Sequence, residues 1–163
     1  MTTQPQPRDI TGIDRIRTKR MIRWRNPIFG SSVAEIREAN GLIPMLNRVL
    51  ILPYQVAPAT QGQIVLAAST QREEQFATEY AVVIAMGSEC YKRDKIAPPI
   101  APGDHIMVTK YNGELTYGAT GLCFRAIVDQ AVNFRLDPGA WRHINDCEEF
   151  FELPEPGFSA PAF

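Results

Sequence analysis

The sequence has little of what covalent chemistry needs. Histidine occurs only as His105 and His143, and cysteine only as Cys90, Cys123 and Cys147. Neither histidine has Cys, Asp or Glu at a metal-ligand spacing and no CxxC pair occurs, which argues against a zinc site and a disulfide framework. His105, within strand-like DHIMV, reads as an exposed or cross-strand residue. There is no GxSxG, no glycine loop to cradle phosphate and no Cys-His pair set as a nucleophile. Asp146, Glu148, Glu149 and Glu152 gather acid near the end of the chain, but in a Pro-rich tail without a companion motif they read as a solvated face. No catalytic residue, no metal and no cofactor of its own is expected.

Long apolar runs are missing too. None approaches the roughly 20 residues of a membrane-spanning helix, and the polar start MTTQPQP has no apolar leader core. With an odd set of cysteines, a soluble protein of a reducing cytoplasm is expected. The net charge of −1 argues against wholesale binding to nucleic acid or membrane. What remains, 163 residues of which 45% are hydrophobic, suffices for one compact core with extensions.

Residues 1–41 read as an N-terminal basic arm and short helix. Arg8, Arg15, Arg17, Lys19, Arg20, Arg23 and Arg25 outweigh Asp9 and Asp14, so the arm is a solvated or packed tail, or a contact for an acidic partner. SSVAEIREAN predicts the helix: Ser32 as cap, Glu35 completing a capping box, Gly41 as stop. Helical periodicity then fades. NRVLILPY, ATEYAVVIAMG, DHIMVTKY, ELTYG, LCFRAIV and AVNFRL follow as short β-rich runs between turn residues, which predicts an all-β antiparallel barrel. Val49, Leu50, Ile51 and Leu52 cannot all face the core of one small barrel, so one face of that strand is expected to be covered by another subunit. Residues 137–163, broken by Pro138-Gly139, form a C-terminal extension.

The odd stretch lies at about residues 55–77. Pro58 and Gly62 discourage regular structure there, and Ile64, Val65 and Leu66 stand in a run of small and polar residues. Long loops in compact domains are functional or disordered. As an ordinary strand the triplet would simply be packed; as a loop it exposes three aliphatics.

The order of features resembles the signature of the chaperonin-10 family, the GroES-like co-chaperonins. LIPMLNRVLIL, nine residues, then GQIVL places Leu42, Pro44, Asn47, Arg48, Val49, Leu50, Ile51, Gly62, Ile64, Val65 and Leu66 where that signature has aliphatic, proline, amide, basic, apolar and glycine positions. Met45 and Leu52 depart from it, the second at a usually polar position. AMGSE, PGDHIMV and GLCFRAIVDQAVNFRL resemble later segments of the family, so the likeness covers about residues 42–136. Both extensions lack a counterpart in short bacterial members, and such additions look like those of a bacteriophage-encoded member.

The resemblance implies a GroES-like, partly open antiparallel β-barrel over residues 42–136 with a long mobile loop, about 55–77, and a roof hairpin, about 87–99, bearing Tyr91, Lys92, Arg93 and Lys95. It implies a co-chaperonin that caps a GroEL-type chaperonin ring as a homoheptamer and assists ATP-dependent folding of non-native substrate proteins, a phage capsid protein among the possibilities. ATP would be bound by the partner. Gly62, Ile64, Val65 and Leu66 are implied as the chaperonin-binding residues; Arg48, Val49, Leu50, Ile51 and Leu52 are expected at the subunit interface. Two other readings stay open: a structural β-barrel, for example of a virion, with the triplet as core, and a nucleic-acid-associated module using the basic arm.

Overall fold

A computed structural model describes residues 23–57, 67–141, 144–145 and 151–152. The fold is all-β and antiparallel, with few helices. Its main sheet has six strands: β2 (Arg48–Pro53), β4 (Tyr80–Met86), β5 (His105–Val108), β6 (Glu114–Tyr117), β7 (Cys123–Val128) and β8 (Val132–Arg135), in the order β6-β7-β2-β4-β5-β8. A smaller sheet sets β1 (Arg23–Arg25) between β3 (Gln55–Val56) and β9 (Phe151–Glu152). The helices are α1 (Val33–Asn40) and α2 (Ala68–Ala77), with a short 3-10 turn at Asp129–Ala131.

The helix read from SSVAEIREAN forms for the local reasons given. Ser32 Oγ accepts from the Glu35 N–H at 3.2 Å, and the Glu35 carboxylate accepts from the Ser32 N–H at 3.2 Å. Gly41 then turns the chain with φ 65°, a conformation that costs a residue without Cβ little. Ile36 is buried in the core, and Asn40, also buried, reaches from the helix end to the β6–β7 turn, where its Oδ1 accepts from Thr120. That contact requires Gly118, because an added Cβ would lie 2.3 Å from Asn40 Oδ1.

The apolar run of β2 explains the layering. Leu50, Leu52 and Tyr54 enter one core with Val82, Ile84 and Phe124; Val49 and Ile51 enter a second with Val83, Ile106 and Ile127. A register shift between Leu50 and Ile51 sends both Ile84 and Ala85 into the first core. That core is closed by the extensions: Trp24 from β1, Ile36 from α1, and Trp141 and Ile144 beyond Leu136. The second is closed by Cys90, Tyr91 and Ile100 from the β4–β5 connection.

This corrects the expectation that another subunit covers one face of the run. Val49–Leu52 are buried within the chain, and β2 is paired along both edges, to β4 and to β7. Among the five residues Arg48–Leu52 only Arg48 is exposed.

Candidate functional site

Gly62, Ile64, Val65 and Leu66 lie outside the described residues, but the frame from which their segment departs is well defined. Half of the expected loop is regular structure: β3 begins at Gln55 and α2 occupies Ala68–Ala77, so only 58–66 lies between them undescribed. The reason is chemical. Seven of the ten residues of ASTQREEQFA are the good helix formers Ala, Gln, Arg and Glu, and its last turn is fastened to the barrel at several points.

The first is Gln75. Its Nε2 donates to the Tyr54 carbonyl at 2.7 Å and its Oε1 accepts from the Val56 N–H at 3.1 Å. The second is Arg125, wholly buried on β7. Its guanidinium donates to the carbonyls of Thr78 at 2.7 Å, Thr109 at 3.2 Å and Asn112 at 3.0 Å, and lies over the Phe76 ring at 5.8 Å. Phe76 also meets Tyr111 edge-on at 5.3 Å. No carboxylate among the described residues pairs with Arg125. Burial lowers its pKa from the ordinary value, and backbone dipoles take the place of a counter-ion.

Between β2 and β3, Tyr54 stacks on Tyr80 with ring centres 5.9 Å apart and shares a hydrogen bond with His105 Nδ1. Of the two readings of His105, exposed or cross-strand, the second holds: it faces Val82 across the sheet and is buried. Desolvation, followed by the neighbouring Tyr80, pushes the Tyr54 hydroxyl far up, so it stays protonated and able to donate.

The expected roof hairpin has no strands of its own: residues 88–95 are consecutive turns joining β4 to β5. Lys92, Arg93 and Lys95 are exposed there, with Lys92 3.6 Å from Glu89. Tyr91 is not a tip residue. It is buried at φ 61°, its N–H donates to Asp129 Oδ2 at 2.7 Å, and its hydroxyl donates to the Asp129 carbonyl at 2.9 Å. Desolvation first, then Asp129 and Cys90, raises its pKa to about 12. Leu46, Asn47, Glu89, Lys92, Arg93 and Gln130 border an open hollow of ≈ 640 Å³ whose mixed charges suit no single ligand class.

What sequence reading missed is where the chain leaves apolar surface unused. Ile43, Met45 and Leu46 are 82%, 69% and 64% exposed in the connection from α1 to β2, and Phe134 on edge strand β8 is 64% exposed. The signal was present as LIPML, four apolar residues around a proline, but nothing in the sequence separates them from the buried run that follows.

Among the described residues no group of three His, Cys, Asp or Glu side chains is arranged to hold a metal ion, and no described helix is long and apolar enough to cross a membrane. Residues 41–119 match a family model described as Chaperonin 10 Kd subunit, a span that runs from the end of α1 into the turn after β6. No curated protein matches the chain.

Proposed function

Because residues 41–119 belong to the chaperonin 10 Kd subunit family, a co-chaperonin family, we propose that this protein caps a GroEL-type chaperonin ring and assists folding in the enclosed chamber. The observation that carries this reading is the family match over the span that holds both roots of segment 58–66. Gly62, Ile64, Val65 and Leu66 are the proposed anchors. The role is non-catalytic: ATP belongs to the partner, non-native proteins are the cargo, and the compartment is the cytoplasm.

Elementary energetics support many weak anchors over one strong one. Burying a Val, Leu or Ile side chain contributes roughly 1.5–3 kcal/mol, whereas ordering each residue costs roughly 1–2 kcal/mol in backbone entropy. A single anchor segment therefore binds weakly and lets go readily. Several on one rigid oligomer turn later contacts into intramolecular ones, so the cap as a whole is held firmly.

The proposed oligomer is a homoheptamer. Exposed Ile43, Met45, Leu46 and Arg48 at the entry to β2, and separately Phe134 on the edge strand β8, support subunit contacts at these places rather than through the buried Val49–Leu52. Exposed apolar side chains, and a sheet edge with no partner strand among the described residues, are surfaces that a second chain covers. Lys92, Arg93 and Lys95 are proposed to line the apex of the dome.

Val65→Asp tests the reading. Nucleotide-dependent binding to a purified GroEL-type ring is expected to vanish while sizing by light scattering shows an unchanged oligomer. Loss of the folded oligomer instead assigns the triplet to the core and refutes the anchor role; a wild-type protein that is a stable monomer refutes the cap.

A further inference from the structure

The Gln75 side chain behaves as a one-residue strand. In an extended chain, residues two apart present their N–H and C=O groups to the same edge, and Gln75 meets the Tyr54 carbonyl and the Val56 N–H on one edge of β3. The other edge is taken by β1 from the N-terminal extension, with Arg25 opposite Gln55 and Trp24 opposite Val56. β9 from the C-terminal extension pairs along the far side of β1. The short strand that leads into segment 58–66 is thus held from both sides.

Among the described residues, the side-chain contacts that fasten the helix leading out of the segment lie at its far end. Ala67 at its start makes no side-chain cap, whereas Gln75 bridges to β3, Phe76 lies under Arg125, and the Thr78 carbonyl accepts from Arg125. A helix of this length and polarity has little stability of its own. Gln75 is a side chain that connects the incoming root to the outgoing one.

We propose that Gln75 is a positioning residue for partner binding: by joining α2 to β3 against the extension strand β1, it fixes the two points from which segment 58–66 departs and returns. This rests on the co-chaperonin reading for its partner, but not for its geometry. Roots fixed beforehand need no ordering when the partner arrives, and each backbone residue that must newly order lowers affinity by about tenfold. The terminal extensions acquire a role through the same contact, since β1 holds the opposite edge.

The test uses the full-length oligomer carrying Gln75→Met, which keeps length and helix propensity and removes both hydrogen bonds. Two quantities are read: amide exchange at Val56 in the free protein, and nucleotide-dependent affinity for a GroEL-type ring. Faster Val56 exchange with affinity about tenfold lower, at unchanged oligomer size and thermal midpoint, is the expected result. Unchanged Val56 protection overturns the clamp, and lost protection with affinity within about twofold of wild type overturns its positioning role. If wild type itself does not bind the ring, the co-chaperonin reading fails, and with it the positioning role, while Val56 exchange still decides the clamp. Should Gln75→Met not fold, Gln75→Glu is judged on the Tyr54 contact, with affinity again expected to drop about tenfold.

Discussion

Replacing Arg125 by methionine is the perturbation whose size the geometry sets most closely. The substitution preserves much of the aliphatic stem and deletes the fork that serves three carbonyls. Asn112 is half-buried and Thr109 exposed, so water can replace the lost donor at both. Thr78 is only 1% exposed, and its carbonyl loses its Arg125 donor at 2.7 Å. Hydrogen bonds to a charged donor contribute about 1.5–3 kcal/mol each, most where burial keeps water out. Against this, the folded state no longer carries a desolvated guanidinium, which gives back several kcal/mol. The net expectation is a loss of about 3 kcal/mol, a large share of the 5–15 kcal/mol typical of a domain. Urea unfolding at fixed protein concentration measures it, with an unchanged slope showing that the native state has stayed compact. Arg125→Lys should fall between the two proteins, because an ammonium can satisfy one or two of the carbonyls but cannot span all three. A loss below about 1 kcal/mol for Arg125→Met, or full stability for Arg125→Lys, would refute the view that the fork holds the end of α2 to the barrel.

Other outcomes follow from equally specific contacts. Gly87→Ala would place a Cβ 2.1 Å from the Leu46 carbonyl, backbone against backbone, so a cost of at least about 1–3 kcal/mol in the same assay is expected; a neutral effect would show that the chain near Leu46 yields freely. At alkaline pH the sign follows from Tyr91, whose folded pKa of about 12 stands above the ordinary value of 10.0. The folded state holds that proton more tightly, so stability is full below pH 10.0 and falls as the pH rises toward 12. Tyr91→Phe should make the fall shallower without abolishing it, because burial also raises Tyr54 and Tyr80; unfolding midpoints between pH 9 and pH 12 would reveal an unchanged slope if this is wrong.

The local signals in the sequence were reliable where a few neighbouring residues suffice. Ser32, Glu35 and Gly41 specify the boundaries of α1 by their own hydrogen bonds and backbone freedom, and the β-rich runs from NRVLILPY onward became strands of the main sheet. The polar helix α2 was read as loop because ASTQREEQFA has no apolar stripe; its fastening comes from Gln75 and from Phe76 beneath Arg125, contacts made at long range. Tyr91 looked like a hairpin tip because KRDK follows it, yet Asp129, distant in sequence, draws it inward.

By itself, then, the sequence determined the class of fold, the order of its strands along the chain, the cap of its first helix and the motif that lies within the family match over residues 41–119. Those properties depend on residue type and spacing over short distances, which a linear string records. Only the tertiary structure decided that Val49–Leu52 are covered from within, that Ile43, Met45 and Leu46 are not, and that both extensions close the core that holds Tyr54 and Val56. Each of those depends on which distant segments meet. An apolar residue reads the same in a string whether its own chain covers it or leaves it exposed, and burial is settled only when the layers close.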